Sequence, residues 1–448
     1  MRFSDLEKAS VGILGIGREG QAVWRQIRHR YPEKPLTLFA ESKADEGFFK
    51  GINPAIDTCH FGAFDVEKLK QFDVLVRSAG ISPYRDELQR LQAMGVQFTT
   101  ASNLWFAENP AAKTICISGT KGKSTTAALT AHLLKQAGIK TTLAGNIGRP
   151  MLDCENGDTD WWVIELSSYQ LADLEAKPDI SLLLNLSEEH VDWHGGAQQY
   201  ETDKLRLADL AKDGHLVLNG ADPKLVNKVG HYPGVKWFNR DGAWRVGEGG
   251  VVGVTGELVA APSGLPGQHN MQNLAAALTA IDLAGAQIPC LDDALSSFMG
   301  LPHRLQFIGK RAGVRFVDDS ISTTPVSVTA ALQTLGHQNT VVLLGGMDRG
   351  LDWAGFARQL VDQTPYAIIT LPDNGPKIMD TLEKAGIAPA GGLHHAARLS
   401  DAVALARKLA PKNGCILLSP GAPSFPHFRD FEDRGNQFKK LAGIEKSH

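Results

Sequence analysis

Apolar runs and polar breaks alternate along this chain in a regular way. Val11-Gly-Ile-Leu-Gly-Ile-Gly17 is an apolar stretch ending in glycines, a mixed pattern of helical period follows to about His29, and Leu36–Ala40 is apolar again. A short apolar run closed by glycine reads as a buried strand, so the chain opens as a βαβ unit. Runs at Val74-Leu-Val76 and Val96-Gln-Phe98 continue the alternation to about Thr100 and imply a parallel sheet. A second series starts after Asn109-Pro110. It has a strand at Ile115-Cys-Ile117, a helical pattern over Ala127 to Gln136, and strands at Trp162 to Glu165, Ile180 to Asn185 and His215 to Asn219. A glycine-rich, meander-like insertion over Lys236 to Ala261 and a helix from about Asn270 to Ala284 close it. From Leu301-Pro-His-Arg304 a third series places strands at Val314 to Asp318, Thr340 to Leu344, Ala367 to Leu371 and Cys415 to Leu418 between helices. The pattern predicts an α/β protein of three domains, residues 1–104, 105–300 and 301–448.

Composition narrows the function classes. Apolar residues make up 43% of the 448-residue chain and charged residues 21%, the balance of an ordinary globular protein. A formal net charge of −3 gives no global field for nucleic acid or an anionic membrane, so neither is an expected partner, and anionic ligands must be met locally. The five cysteines are scattered and without Cys-x-x-Cys spacing, which argues against a disulfide framework or zinc cluster and for a cytoplasmic location. Residues 1–10 are polar, and no run approaches the roughly 20 apolar residues of a membrane span.

Against this neutral background one segment carries chemistry. Ile115-Cys-Ile-Ser-Gly-Thr-Lys-Gly-Lys-Ser-Thr-Thr126 runs from a strand through a glycine turn into a helix. Backbone N–H groups at such a turn point at an anion, Lys123 supplies a point charge for β- and γ-phosphate oxygens, and Ser124 or Thr125 can ligate Mg²⁺. A standard P-loop has glycine five residues before Gly122, where Ile117 stands, so Gly119-Thr120-Lys121-Gly122-Lys123-Ser124 is a compact variant. Gly15-Ile-Gly17-Arg18-Glu19-Gly20 follows the first strand, with Glu41 after the next, and suits a dinucleotide or any pyrophosphate; close helix-to-strand packing without a ligand is the plainer reading. Glu165 and His190 emerge just beyond two further strands, where parallel sheets bind ligands and where a carboxylate and an imidazole beside a phosphate loop can hold Mg²⁺. His190 alone reads equally well as a structural histidine, and Lys204 alone as a solvated helix lysine.

Taken together, these segments resemble a known family. Gly119-Thr-Lys-Gly-Lys-Ser-Thr125, Gly145-Asn146-Ile-Gly148, Glu165-Leu-Ser-Ser-Tyr-Gln170, Glu188-Glu-His190-Val-Asp192 and Asp203-Lys204 lie in the order of the bacterial Mur ligases. His269-Asn270-Met-Gln-Asn273, Pro302-His-Arg304, Asp318-Asp319-Ser320, Ser419-Pro-Gly-Ala-Pro-Ser424 and Phe431-Glu-Asp-Arg434-Gly-Asn436 continue it. The resemblance implies a Rossmann-like N-terminal domain for a UDP moiety, a central P-loop-type ATPase domain and a Rossmann-like C-terminal domain for an incoming amino acid. ATP and Mg²⁺ are the implied cofactors, UDP-N-acetylmuramoyl-L-alanine and glutamate the implied substrates, and the acting form a monomer. Lys123, His190 and Lys204 become the expected catalytic groups, with Lys204 carbamylated. Ser124, Glu165, His190 and Lys204 become the metal set. Gly119 to Thr125, Asn270, Asn273, Arg304 and Asp319 are then expected to contact the nucleotide. Gly17, Arg18, Glu19, Ser78, Gly80, Asn146, Thr323, Arg349, Ser424 and Phe431 are expected to contact substrate. ATP shared between two domains further implies closure of the third domain about a linker near Gly300.

Two segments depart from the family. Its Asp-Ser-Lys-x-Thr-Asn motif reads Asp319-Ser-Ile321-Ser-Thr323-Thr324 here, and Arg349 stands where lysine is commoner. Both fall in the implied amino-acid pocket, and redistributing the charges that hold two carboxylates is what inverting an α-carbon demands. The expected substrate is therefore L-glutamate, with a downstream epimerase; the same ligase using D-glutamate is the alternative. The rivals are an oxidoreductase built on Gly15-x-Gly17-x-x-Gly20, a nucleotide-binding switch without ligase activity, and a sister Mur or folate–glutamate ligase.

Overall fold

A computed structural model describes residues 1–41, 48, 51–154, 157–260 and 267–444. Two compact units emerge, Met1–Ala261 with Gln268–Leu295, and Pro262–Gly267 with Ser296–His448.

The first unit holds two parallel sheets. In one, the spatial order is Asp57–Phe61, Leu36–Ala40, Val11–Leu14, Val74–Arg77 and Gln97–Thr100. In the other it is Lys236–Phe238, His215–Asn219, Ile180–Leu183, Thr114–Ser118, Trp161–Glu165 and Thr141–Gly145. Central strands such as Val11–Leu14 and Thr114–Ser118 are buried at every position, because helices cover both faces. One apolar cluster runs through both sheets, and Trp105 links them by packing edge-on against Trp162 at 4.8 Å between ring centroids. Trp105 lies in the helix Ala101–Glu108, which spans the 104/105 boundary expected from sequence.

The glycine-rich insertion divides differently from its sequence reading. Lys236–Phe238 joins the edge of the parallel sheet, and only Arg245–Gly247, Gly250–Val252 and Leu258–Ala260 form an antiparallel meander. Ala261, the expected end of that insertion, lies outside the described residues.

The second unit is one sheet in the order Gln306–Arg311, Val314–Asp318, Cys415–Leu418, Thr340–Leu344, Ala367–Thr370 and Leu393–His395, with only the first strand antiparallel. Asp319, Gly345 and Ser419 directly follow three adjacent strands at its centre, so three loops leave the same carboxyl edge. Among the described residues no helix is long and apolar enough to cross a membrane.

Candidate active site

The helix after strand Thr114–Ser118 begins at Lys123, four residues earlier than its apolar pattern suggests, because Gly122 caps it in the left-handed region at φ 85°. Side chains other than glycine pay for that conformation, and a Cβ on Gly122 would also press on Asn273 inside 3.0 Å. The resulting loop folds around the Gly119 carbonyl. Lys123 Nζ donates to it at 3.0 Å and to the Thr120 carbonyl at 2.9 Å, and Lys204 Nζ donates to the Gly119 carbonyl at 3.0 Å. Two expected catalytic lysines thus meet at one backbone oxygen. Ser124 stands half-exposed at the helix start, while Thr125 is buried.

The loop is braced from the strand ends beside it. Thr120 Oγ1 lies 2.8 Å from the Tyr200 hydroxyl and donates to the Ser187 carbonyl, and the Lys121 backbone N–H donates to Asn185 Oδ1 while its carbonyl accepts from Asn185 Nδ2. The Lys121 ammonium pairs with Glu189 at 2.5 Å. Glu165, fully buried at the end of its strand, accepts from Asn146 Nδ2 at 2.8 Å through Oε1, whereas its Oε2 is buried without a hydrogen-bond partner. His190 is half-exposed in the left-handed region, and its ring lies 5.1 Å from that of Tyr169. Asn270 and Asn273 sit on the helix Gln268–Leu283, joined by an amide hydrogen bond at 3.0 Å.

Gly17, Arg18, Glu19, Ser78, Gly80 and Asn146 all line one cleft of about 320 Å³ at the carboxyl ends of the first sheet. Its walls are held by protein contacts. Ser78 Oγ donates to the Gly15 carbonyl, and Glu19 accepts from Ala79 N–H and from Gln170 Nε2. Gly20 is required there, since a Cβ would overlap the Gly15 carbonyl. Glu41, read from sequence as a ribose acid, is paired with Arg85 at 2.9 Å.

In the second unit Arg304, Thr323 and Arg349 are exposed, and Ser424 and Phe431 are half-buried. Asp319 is buried, accepting from the Ser322 and Ser419 hydroxyls at 2.5 and 2.7 Å and from Leu305 N–H at 3.0 Å. Arg434 is fully buried and clamps two of the loops, donating to Ser320 Oγ, the Ser320 carbonyl and the Ala422 carbonyl.

Residues 117–281 match the family described as Mur ligase middle domain, and residues 303–421 the one described as Mur ligase, glutamate ligase domain. A protein of Xanthomonas axonopodis pv. citri (strain 306), named UDP-N-acetylmuramoyl-L-alanine–L-glutamate ligase, is 42% identical across 99% of this chain and 97% of its own. This chain belongs to the Mur ligases. A protein of the same name from Xylella fastidiosa (strain Temecula1) is 43% identical to this Mur ligase over 99% of the chain and 97% of its own length. The solved UDP-N-acetylmuramate–alanine ligase of Thermotoga maritima shares its fold, with a TM-score of 0.60 at 17% identity over 97% of this chain and 99% of that one. As a Mur ligase the protein is an ATP-dependent amide-bond-forming enzyme.

Electrostatics in this Mur ligase are set by burial beside the loop. Removal from water, with Lys123 nearby, pushes the Lys204 amine down to about 7, against the pull of Glu189 and Glu165. Desolvation likewise lowers His190, opposed by Glu189. For Glu189 burial works upward, yet the Lys121 hydrogen bond and charge hold its carboxyl below the usual range. Sequence reasoning missed the residues that frame these groups. Trp193 stacks on Tyr169 at 4.2 Å and donates through Nε1 to the Gly80 carbonyl, and buried His194 bridges Ser168 and Asp203. The Trp193-His194 pair directly after His190-Val-Asp192 was the available signal, but Gly80 lies 113 residues from Trp193 and Ser168 26 from His194.

Proposed function

We propose that this Mur ligase joins L-glutamate to UDP-N-acetylmuramoyl-L-alanine. The carrying observation is the meeting of Lys123 and Lys204 at the Gly119 carbonyl, beside a buried Glu165 oxygen without a partner and a cleft lined by six expected substrate contacts. Residues 1–104 take the UDP moiety, 105–300 the ATP and 301–448 the amino acid. A carboxylate does not react with an amine unaided, so the alanyl carboxylate attacks the γ-phosphorus of ATP, breaking its bond to ADP and forming an acyl phosphate. The glutamate amine then attacks the acyl carbon, loses a proton, and phosphate leaves as the amide forms. Lys123 and the first backbone N–H groups of the helix that begins there meet the moving charge, which is most of what phosphoryl transfer asks of a protein. Asn270 and Asn273 hold adenine, Arg304 and Asp319 contact the nucleotide, and Thr323, Arg349, Ser424 and Phe431 contact glutamate.

The site fits magnesium. Glu165 Oε2 is buried without a hydrogen-bond partner, and magnesium is the cation that accepts one or two protein carboxylates with phosphate oxygens and water completing its shell. Ser124, Glu165, His190 and a carbamylated Lys204 would hold it, and when bound it neutralises phosphate charge. Carbamylation joins the neutral Lys204 amine to the carbon of CO₂ with loss of one proton, turning a buried cation into an oxygen ligand. A lysine amine that is 2% exposed and pushed down to about 7 is suited to that reaction.

The L-configuration is supported by the names of the full-length relatives and by Ile321, Thr324 and Arg349. The enzyme is proposed to act as a cytoplasmic monomer, upstream of an epimerase. The test is phosphate release with UDP-N-acetylmuramoyl-L-alanine, ATP and each enantiomer. A kcat/KM ratio favouring L-glutamate is expected. Preference for D-glutamate by more than about tenfold, about 1.4 kcal/mol, overturns the stereochemistry, and no release with either overturns the ligase reading.

A further inference from the structure

The helix Ala197–Asp209 carries two sets of polar contacts on two faces. Residues four apart share a face, and neighbours are turned by about 100°. Tyr200 and Lys204 form one such pair, touching Thr120 Oγ1 and the Gly119 carbonyl of the phosphate loop. Gln199 and Asp203 form the other. Asp203 is 3% exposed and its carboxylate gathers Tyr84 Oη at 2.6 Å and Gln199 Nε2 at 2.8 Å on one oxygen, and His194 Nδ1 at 2.6 Å on the other. Tyr84 belongs to the loop that leaves strand Val74–Arg77, where Ser78 and Gly80 line the cleft. The same loop is pinned twice more to the segment following His190, since Ser82 Oγ donates to the Trp193 carbonyl at 2.6 Å and Trp193 Nε1 donates to the Gly80 carbonyl at 2.9 Å. His194 closes the circuit through Ser168, in the short helix three residues beyond Glu165.

We propose that Tyr84 and Asp203 are positioning residues that couple the acceptor cleft to the phosphate loop, with the helix Ala197–Asp209 as the rigid spacer between them. The inference rests on the ligase reading, which supplies the two ligands. An acceptor that settles the loop of residues 78–84 fixes Tyr84. Tyr84 fixes the Asp203 carboxylate, and the turn of helix carrying Asp203 cannot shift without moving Lys204 against Gly119. A buried carboxylate with three donors has little freedom to adjust, so displacement passes along the helix instead of being absorbed. The coupling is reciprocal, and nucleotide must tighten acceptor binding by the same factor as acceptor tightens nucleotide.

The experiment measures the Kd of β,γ-imido-ATP with magnesium, with and without saturating UDP-N-acetylmuramoyl-L-alanine and with no glutamate, by calorimetry on the full chain. Wild type is expected to tighten at least about fivefold, the lower end of ordinary coupling. Tyr84→Phe removes one oxygen. It is expected to bind each ligand alone with near wild-type affinity and to lose the coupling to under about twofold. Should Tyr84→Phe fail to fold, Asp203→Asn, which keeps the side-chain size, carries the same expectation. Unchanged coupling in the folded variant, or none in wild type, overturns the inference. A folded wild type that binds neither ligand overturns the ligase reading instead.

Discussion

Substituting Gly122 by alanine tests the nucleotide loop at its tightest point. The new Cβ meets two penalties. At φ 85° an alanine sits in the left-handed region, costing about 1–2 kcal/mol. It also falls closer than 3.0 Å to the Asn273 side chain, with Leu184 behind at 3.4 Å, so the carboxamide must swing away. Asn273 is 6% exposed and donates to Asn270 Oδ1 at 3.0 Å, and breaking a hydrogen bond between buried groups costs about 1–3 kcal/mol. The sum, about 2–5 kcal/mol, is a large part of a typical domain's stability. Urea denaturation followed by tryptophan fluorescence reports it, because every tryptophan except Trp353 lies in the first unit. The decisive arm is the cycle with Asn273→Ala. Removing the carboxamide removes the collision, so the double variant should be less destabilised than the two singles added, by about 1–3 kcal/mol. Additivity within about 0.5 kcal/mol, or a Gly122→Ala protein as stable as wild type, would refute the reasoning.

Lys123→Ala should reduce phosphate release at least about 100-fold while leaving the protein folded, because it removes the charge proposed to meet phosphate and no core volume, at the cost of its two hydrogen bonds to the Gly119 and Thr120 carbonyls; steady-state release and melting curves read both. Lys204→Ala should lose most activity and regain part of it with added acetate or propionate, which can supply the missing oxygen ligand; activity equal to wild type without additive would refute a carbamate at this position. Asp319 predicts a pH dependence in the second unit. Burial pushes its carboxyl up to about 6 from the usual 3.8, against the Ser322, Ser419 and Leu305 hydrogen bonds, so the folded state holds the proton more tightly than the unfolded chain. Its contribution is therefore fully present below about pH 4 and lost, by a few kcal/mol, as pH rises through about 6. Hydrogen exchange of the second unit should show that slope in wild type and a flatter one in Asp319→Asn, and equal slopes would contradict the assignment.

Much of the framework is written locally. Leu36–Ala40, His215–Asn219, Val314–Asp318, Thr340–Leu344 and Cys415–Leu418 have the bounds their apolar runs predict, because a parallel strand covered on both faces must be apolar along its length. The phosphate loop is equally legible. Its turn is made within one short segment, where Gly122 in the left-handed region ends the loop and opens the helix at Lys123, so the spacing fixes the local geometry. Edge strands escaped. Asp57–Phe61, Thr141–Gly145, Gln306–Arg311 and Leu393–His395 are half-exposed and polar, and they are strands because a neighbour offers hydrogen bonds, not because of a pattern of their own. Lys236–Phe238 went to the wrong sheet for the same reason. The frame around the lysines lay deeper still. Tyr84 and Asp203 are 119 residues apart, His194 and Ser168 are 26 apart, and each reads singly as an ordinary polar residue. Sequence determines what a side chain can donate or accept. Which donor meets which acceptor is decided when separate strands and helices pack, since that packing alone removes water from the carboxylate and leaves the protein's own groups to replace it.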